Sequence, residues 1–545
     1  MTARPWIATY GERIPDEIDP DAYRSIVELL EEAMRQYADK PAFRCFGQTL
    51  TYAEVDRLSR NFAAYLQHKL QVKKGERIAI MLPNIPAFPI ATIGILRAGA
   101  AQVNVNPLYT PRELEHQLND AGAETIVIFA GSTPTLAETA GRTCVKTVIT
   151  VAPADATGAA RASPPVDARL TNAVSFAAAL AAGEKLEFTP VPLEGDDLLF
   201  LQYTGGTTGL SKGAALSHRN LVANTEQFKA FLHDALPPGE AVVVTALPLY
   251  HIFALMVNFI CTFSRGAENW LVPNPRDMDG FVEILKQARC TLFTGVNTLY
   301  GGLCAHPRIK EVDFSRLRYA IGGGAAVLPV TSARWKALTG RDILEGYGLS
   351  ETSPVLTLNP PNAGAFSATV GLPFPSTDIK LLDDDGREVS LGEAGEVCAR
   401  GPQVMRGYWE KPDVNATAFT PDGYFRTGDV GVFDARGHLR IVDRKKDMVL
   451  VSGFNVYPNE VEAVAAACPG VAECACVGVP DEKTGEAVRV FVVKAAGATL
   501  TEEQVVAHCK RELASYKVPK QVRFLDALPK SVVGKILRKD LRAIA

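Results

Sequence analysis

Between Tyr203 and Ala214 the chain reads YTGGTTGLSKGA, with three glycines and three threonines in its first seven residues. That composition cannot build a core, but it can build a loop. Gly205, Gly206 and Gly209 permit positive φ and close approach, so successive backbone N–H groups can converge on an anion. Thr204, Thr207, Thr208 and Ser211 add hydroxyl donors, and Lys212 adds a mobile point charge. The chemistry is that of phosphate binding, although the Walker pattern G-x-x-x-x-G-K-[ST] cannot be aligned to the stretch. On spacing alone, a solvated surface loop remains the alternative.

A second chemically suggestive residue, His251, lies in AVVVTALPLYHIFALMVNFICTF, Ala241 to Phe263. No charged side chain interrupts this run, and its length would suffice to span a bilayer. Pro248, His251 and Asn258 break it, so a buried strand, a turn and a buried helix are expected instead. A lone histidine in such a run reads first as a packed core residue.

The elements that must position these groups follow a clear rhythm. To about residue 150, helix-like and strand-like runs alternate, as in GERIAIMLPN followed by AFPIATIGILRAGAAQVNVNP. A second such run spans about 195–360, and both predict mostly parallel sheets with helices on their faces. Residues 152–185, rich in alanine and proline, read as a surface excursion. From about 365, short strands separated by glycine-rich turns predict a β-rich subdomain. After DRKKD the pattern turns α+β, which places a boundary at Asp443–Arg444. The expected organisation is an α/β N-terminal domain, 1–442, and a small mobile α+β domain, 443–545.

Composition narrows the class. The 545 residues are 47% hydrophobic and 22% charged, ordinary for a globular chain of several domains. A formal net charge of −4 argues against a protein built to coat nucleic acid. Ten scattered cysteines include no C-x-x-C pair, and the N-terminal MTARPWIATYGERIPDEIDP has no apolar signal core. A reduced, cytoplasmic protein without a transmembrane segment is expected.

Further stretches carry a family resemblance. YTGGTTGLSKGA, GYGLSET (346–352), GYFRTGD (423–429), DRKKDMVLVSGFNVYPNEVE (443–462) and LPKSVVGKILRKDLR (528–542) occur in one order. They resemble the signatures of the adenylate-forming superfamily, and with LTYAEVDRLSRNFA near the start the likeness covers essentially the whole chain. LPLYHIFALMVN, TGVNTLY, GPQVMRGYW and ELASYKVPK are most similar to bacterial long-chain fatty-acid–CoA ligases. The resemblance implies two half-reactions: attack of a carboxylate on the α-phosphorus of ATP, then displacement of AMP by coenzyme A.

It also implies roles. Lys535 is the cation of the adenylation step, and Glu351 and Thr204 are associated with Mg2+. His251 lies near the α-phosphate and acyl carboxylate, and Phe253 lines the acyl entrance. Tyr347 stacks near adenine, with Gly324, Glu345, Gly346 and Ser350 around the nucleotide. Asp429 accepts the ribose hydroxyls, and Arg444 contacts ribose or phosphate. Asp443 is the hinge, and Gly453 in the VSGFN loop lines the pantetheine channel when the C-terminal domain rotates. Some relatives carry lysine at Ser452 and glutamine at Glu345, so contacts at those positions differ.

The implied partners are a fatty acid, ATP and coenzyme A, with no nucleic acid. Peripheral contact with the inner membrane face and a homodimer both stay open. The rivals are a medium-chain or aryl-acid CoA ligase and, from a different class, a non-catalytic nucleotide- or acyl-binding protein.

Overall fold

The computed structural model describes residues 4–158, 161–204, 211–232, 237–361, 366–452, 454–531 and 534–544. Among these residues the strands form four sheets. The first has seven strands, in the order 174–175, 147–151, 125–129, 77–81, 101–104, 198–204 and 212–217. All its pairings are parallel except the last, where Leu198–Thr204 meets Lys212–Ser217 antiparallel.

The second sheet has nine strands, and its parallel centre comprises 343–348, 319–322, 292–295, 242–245, 268–271 and 41–45. Here the structure corrects the two-run reading. The hairpin of Pro41–Cys45 and Gln48–Thr51 leaves the first run and adds to the second sheet beside Glu268–Leu271. Strands 198–204 and 212–217 of the second run complete the first sheet instead. The two α/β units are interleaved, because parallel pairing joins strands distant in sequence and leaves no local period.

Residues 152–185 also differ from the expectation of a surface excursion. Val174–Ser175 pairs at the sheet edge, and the helix Phe176–Gly183 buries Phe176 against Phe62 at 4.9 Å. A run of alanines gives a helix no polar face, so periodicity did not mark it. The uncharged run 241–263 behaves as expected: a central strand, Val242–Thr245, then a buried helical segment, Ala254–Cys261, wound in wider π-type turns. No described helix is long and apolar enough to cross a membrane.

An antiparallel sheet of Asp378–Leu382, Gly395–Arg400, Phe425–Phe433 and Leu439–Arg444 forms the β-rich part. A fifth-strand pairing completes the C-terminal sheet, where Gln521–Phe524 runs parallel to Gly485–Lys494. Two backbone bonds join the β-rich part to the large sheet: Val370 N to Leu439 O and Leu439 N to Gly371 O, both 2.8 Å.

Gly371 has φ +85°, and a Cβ there would lie 2.0 Å from the Leu358 carbonyl carbon. Gly386, at φ +78°, faces open space. Gly386→Ala is therefore expected to cost about 1 kcal/mol, the left-handed penalty alone. Gly371→Ala should cost about 3 kcal/mol or more, because backbone must move as well. Thermal unfolding of the two variants checks this, and equal losses would contradict it.

Candidate active site

Thr204, His251, Gly324 and Glu345–Tyr347 lie at or just beyond the C-terminal ends of strands 198–204, 242–245, 319–322 and 343–348 of the two large sheets, the end at which open α/β folds bind ligands. Thr204 ends one strand and Lys212 begins the next, and the two are cross-strand partners. The expected site residues Gly205, Gly206, Thr207, Thr208, Gly209 and Gly453 lie outside the described residues. Ser211 remains at the loop's exit, where its carbonyl meets His116 Nε2 at 2.9 Å.

Lys212 is seated by groups that the motif did not reveal. Its Nζ lies 5.2 Å from the centroid of the Tyr408 ring. Ala214 bridges Tyr408, and Trp409 N donates to Gly213 O at 2.8 Å. Tyr408 also donates its hydroxyl to Glu351 Oε1 at 2.7 Å. Glu351 follows Ser350 in a short turn that packs against the strands flanking the glycine-threonine loop. The Glu351 carboxyl is buried, which raises its pKa; Tyr408 and Arg444 oppose the rise.

The strand Ile343–Gly348 supplies Glu345, Gly346 and Tyr347. Tyr347 donates its hydroxyl to Asp429 Oδ2 at 2.7 Å, while Arg444 Nε lies 3.2 Å from Asp429 Oδ1. Asp429 and Arg444 face each other on neighbouring strands, so sheet register sets that ion pair. Glu345 is buried, and its Oε1 accepts from Val327 N at 2.9 Å, which ties the segment after the glycine turn 322–324 to the strand Ile343–Gly348. Burial raises the Glu345 pKa to about 8. Gly324, in that turn, has φ +76°. A Cβ on Gly323 would lie 3.3 Å from the Phe253 ring and 3.4 Å from Gly346 O, so the Phe253 ring packs close against this turn and the strand Ile343–Gly348.

His251 stands one turn before the buried helix, and its Nδ1 accepts from Phe253 N at 3.3 Å. The preceding segment is suspended by buried amides. Asn84 Nδ2 donates to Thr245 O and Leu247 O at 3.0 and 2.9 Å. Gln202, two residues before Thr204, donates to Tyr250 O at 3.1 Å and accepts from Asn104 Nδ2 at 3.0 Å. The strand Leu198–Thr204 thereby fixes the turn that carries His251. Burial first, and then the nearby charge of Lys535, push the His251 imidazole down from 6.5 to about 4.

Lys535 reaches this chamber from the C-terminal part. Gly534 O accepts from Thr298 Oγ1 at 3.1 Å, which fastens its segment to the helix Asn297–Ala305. Desolvation lowers the Lys535 ammonium to about 8; Arg444 and Lys446 push the same way and Asp429 opposes them. Lys446 is itself lowered to about 8, by burial and then by Arg444. With Thr427, Gly428, Arg444 and Lys445 it lines a cavity of about 320 Å³. Sequence reasoning missed Tyr408, Lys446 and Gln202. Tyr408 and Lys446 lie inside the stretches GPQVMRGYW and DRKKD, whereas Gln202 had no signal beyond being polar in an apolar strand.

Asp443 is almost wholly buried, at 1% exposure, and lies on the strand Leu439–Arg444 opposite Val430. Among the described residues no group of three or more His, Cys, Asp or Glu side chains could hold a metal.

The described site thus brings a buried carboxylate, an aspartate–arginine pair, a histidine and a lysine from the C-terminal part near one another. Comparisons with known proteins assign it to a class. The AMP-binding enzyme profile matches residues 30–409, and the AMP-binding enzyme C-terminal domain profile matches residues 460–535. The chain belongs to the AMP-binding enzyme family. It is 50% identical over 550 residues to the long-chain-fatty-acid–CoA ligase of Escherichia coli O157:H7, covering 98% of this chain and 97% of that one. ATP-bound MatB from Rhodopseudomonas palustris superposes with a TM-score of 0.83 at 32% identity, over 95% of this chain and 98% of that one. The anthranilate CoA ligase AuaEII, with anthranoyl-AMP, shares the fold with a TM-score of 0.88 at 24% identity, over 97% and 99% of the chains.

The depressed histidine has a pH consequence. Between pH 6.5 and about 4 the unfolded chain protonates His251 before the folded one does, so its contribution to stability is lost as pH falls. Glu345 runs the opposite way, since its raised pKa makes the folded state take up the proton first. The difference in unfolding free energy between wild type and His251→Gln isolates the histidine. That difference should move against wild type as pH drops from 6.5 toward 4, and a pH-independent difference would contradict the assigned environment.

Proposed function

We propose that the protein activates a fatty acid with ATP, forming acyl-adenylate and pyrophosphate, and then transfers the acyl group to coenzyme A with release of AMP. The observation that carries this reading is the near-full-length 50% identity to the Escherichia coli long-chain ligase. The convergence of Lys535, Arg444, Asp429 and His251 at one chamber supports it.

The chemistry asks an anionic carboxylate to approach an anionic triphosphate. Fixed cations and aimed donors in a water-poor chamber reduce that repulsion. Electrostatic preorganisation of this kind commonly supplies more of an enzyme's rate enhancement than any other single effect. In this reading Lys535 sits between the fatty carboxylate and the α-phosphate, and Arg444 and Lys212 offset phosphate charge. His251, neutral at pH 7 with Nδ1 engaged, offers Nε2–H as a donor. Asp429 takes the ribose hydroxyls on lone pairs left free by Tyr347 and Arg444. Tyr347 and the Gly322–Gly324 turn flank the base.

Magnesium fits the donor set. The Glu351 carboxyl and Thr204 hydroxyl are hard oxygen donors, and an ion there would draw its other ligands from phosphate and water. When bound it would neutralise phosphate charge. The buried Glu351, with Tyr408 as its hydroxyl partner, is a carboxylate that a cation would relieve.

The second half-reaction uses the same chamber after the C-terminal domain, 443–545, turns about Asp443. Lys535 then withdraws and the segment around Ser452 approaches, leaving a path for the pantetheine arm. The acyl chain runs past Phe253 along the wall made by the 254–261 helix. Each buried methylene contributes roughly 0.8 kcal/mol, about fourfold in affinity, so chain length should be read steeply.

A panel of straight-chain acids from C6 to C18, with benzoate and anthranilate, tests the reading. With ATP, Mg2+ and coenzyme A, AMP release should rise with chain length into the long-chain range and stay at least tenfold lower with aryl acids. Preference for the aryl acids would move the protein to its nearest rival. Binding of nucleotide without AMP formation on any acid would make it a non-catalytic binder.

A further inference from the structure

Asp443 is held from two sides. Its backbone pairs with Val430 in the sheet that carries Asp429. Its carboxylate is held by the C-terminal part: Oδ2 accepts from Asn459 N at 2.8 Å, and Oδ1 accepts from Arg538 Nη1 at 2.9 Å. Arg444 N adds a third donor, to Oδ1, at 2.7 Å.

Arg538 is the centre of this largely buried cluster. Its Nη2 donates to both oxygens of Glu462 at 2.9 Å and to Asn459 Oδ1 at 2.5 Å. Its Nε donates to Glu462 Oε1 at 3.1 Å, and its Nη1 lies 3.7 Å from Asp447 Oδ2. Glu462 Oε1 also accepts from Cys476 N at 2.7 Å, which ties the cluster to the C-terminal sheet. One rigid fork thus spans the pivot, the helix Pro458–Ala466 and the strand Val471–Asp481.

Arg538 follows Lys535 by three residues, a reach of at most about 10 Å. Between them the chain is tied back on itself: Lys535 N donates to Ser531 Oγ at 3.1 Å, Ser531 N donates to Lys535 O at 2.7 Å, and Leu537 N donates to Pro529 O at 2.9 Å. The segment that presents Lys535 is therefore fastened at its tip by Thr298 to Gly534, and at its base by Arg538 to the pivot.

We propose that Arg538 is a positioning residue for adenylation, coupling the Lys535 segment to the Asp443 pivot so that Lys535 enters the chamber only in the orientation this ion cluster sets. The inference rests on the reading of Lys535 as the adenylation cation and Asp443 as the hinge. Lysine cannot replace the fork: a single ammonium nitrogen cannot reproduce the planar contact with both Glu462 oxygens and also reach Asn459 and Asp443.

Arg538→Lys keeps the buried charge and is the test. Acyl-adenylate formation, read as pyrophosphate release in a single turnover, should fall about 10- to 100-fold, the scale of a misplacement near 1 Å. The KM for ATP should hold, because Arg538 touches none of the nucleotide groups. Thioester formation from supplied acyl-AMP should change less than about threefold. Independently of any substrate, the pH dependence of reductive methylation at Lys535, followed by mass spectrometry, should show a midpoint near 8 in wild type. In Arg538→Lys that midpoint should rise by a unit or more, toward the ordinary lysine value of about 10.4.

Equal losses in both half-reactions, with the Lys535 midpoint still near 8, would reduce Arg538 to a structural residue and overturn the proposal. Should Arg538→Lys not fold, Asn459→Ala removes an uncharged member of the cluster and carries the same expectation for the midpoint. A midpoint unmoved in that variant would equally overturn it. Absence of AMP formation by wild type would sink the functional reading alone, since the labelling arm uses no substrate.

Discussion

The structure depends on holding several cations together where water is scarce. Lys535, Arg444 and Lys446 crowd one another and favour loss of a proton from Lys535, while the Asp429 carboxylate pulls the other way. Arg444 and Lys535 are each pinned by a separate part of the fold. Sheet register sets Arg444 opposite Asp429, and Thr298 holds the turn that bears Lys535. A triphosphate entering the chamber would relieve the crowding, so the same arrangement that is costly without ligand becomes favourable with it. Preorganised charge of this kind needs no rearrangement as the reaction proceeds.

The neutral members of the chamber are held as firmly. Gln202 and Asn84 suspend the 245–251 segment by buried amide bonds, and that suspension sets where His251 stands. Below it, Asn258 in the π-type helix donates to Thr245 Oγ1 at 3.1 Å and accepts from Thr294 Oγ1 at 2.9 Å. Those bonds explain how a run without charge carries an asparagine into the buried interior: both ends of its amide are paired. Through Phe253 the same run meets the glycine turn at Gly323, so the proposed acyl wall and nucleotide wall are one piece of structure.

Much of this was legible from residue order. The motif strings pointed to Thr204, Lys212, Glu351, Tyr347, Asp429 and Lys535 together, and the breakers in 241–263 correctly argued against a membrane span. Less was legible where long-range pairing decides the outcome. Nothing in 41–51 announces that it will join Glu268–Leu271 rather than its nearer neighbours. Nor does any periodicity mark Tyr408 as the residue that serves both Lys212 and Glu351, since it lies 57 residues from the latter. Arg538 looked like one more basic side chain in LRKDLR, and only the buried carboxylates around it give it a distinct place.

One claim underlies the rest: the terminal ammonium acts in the first half-reaction and not in the second. Comparing Lys535→Ala with wild type in separated half-reactions tests it most directly. Acyl-adenylate formation should fall by at least a hundredfold, while conversion of supplied acyl-AMP to the thioester should remain within severalfold of wild type. Equal impairment of both steps, or adenylation near the wild-type rate, would contradict the claim.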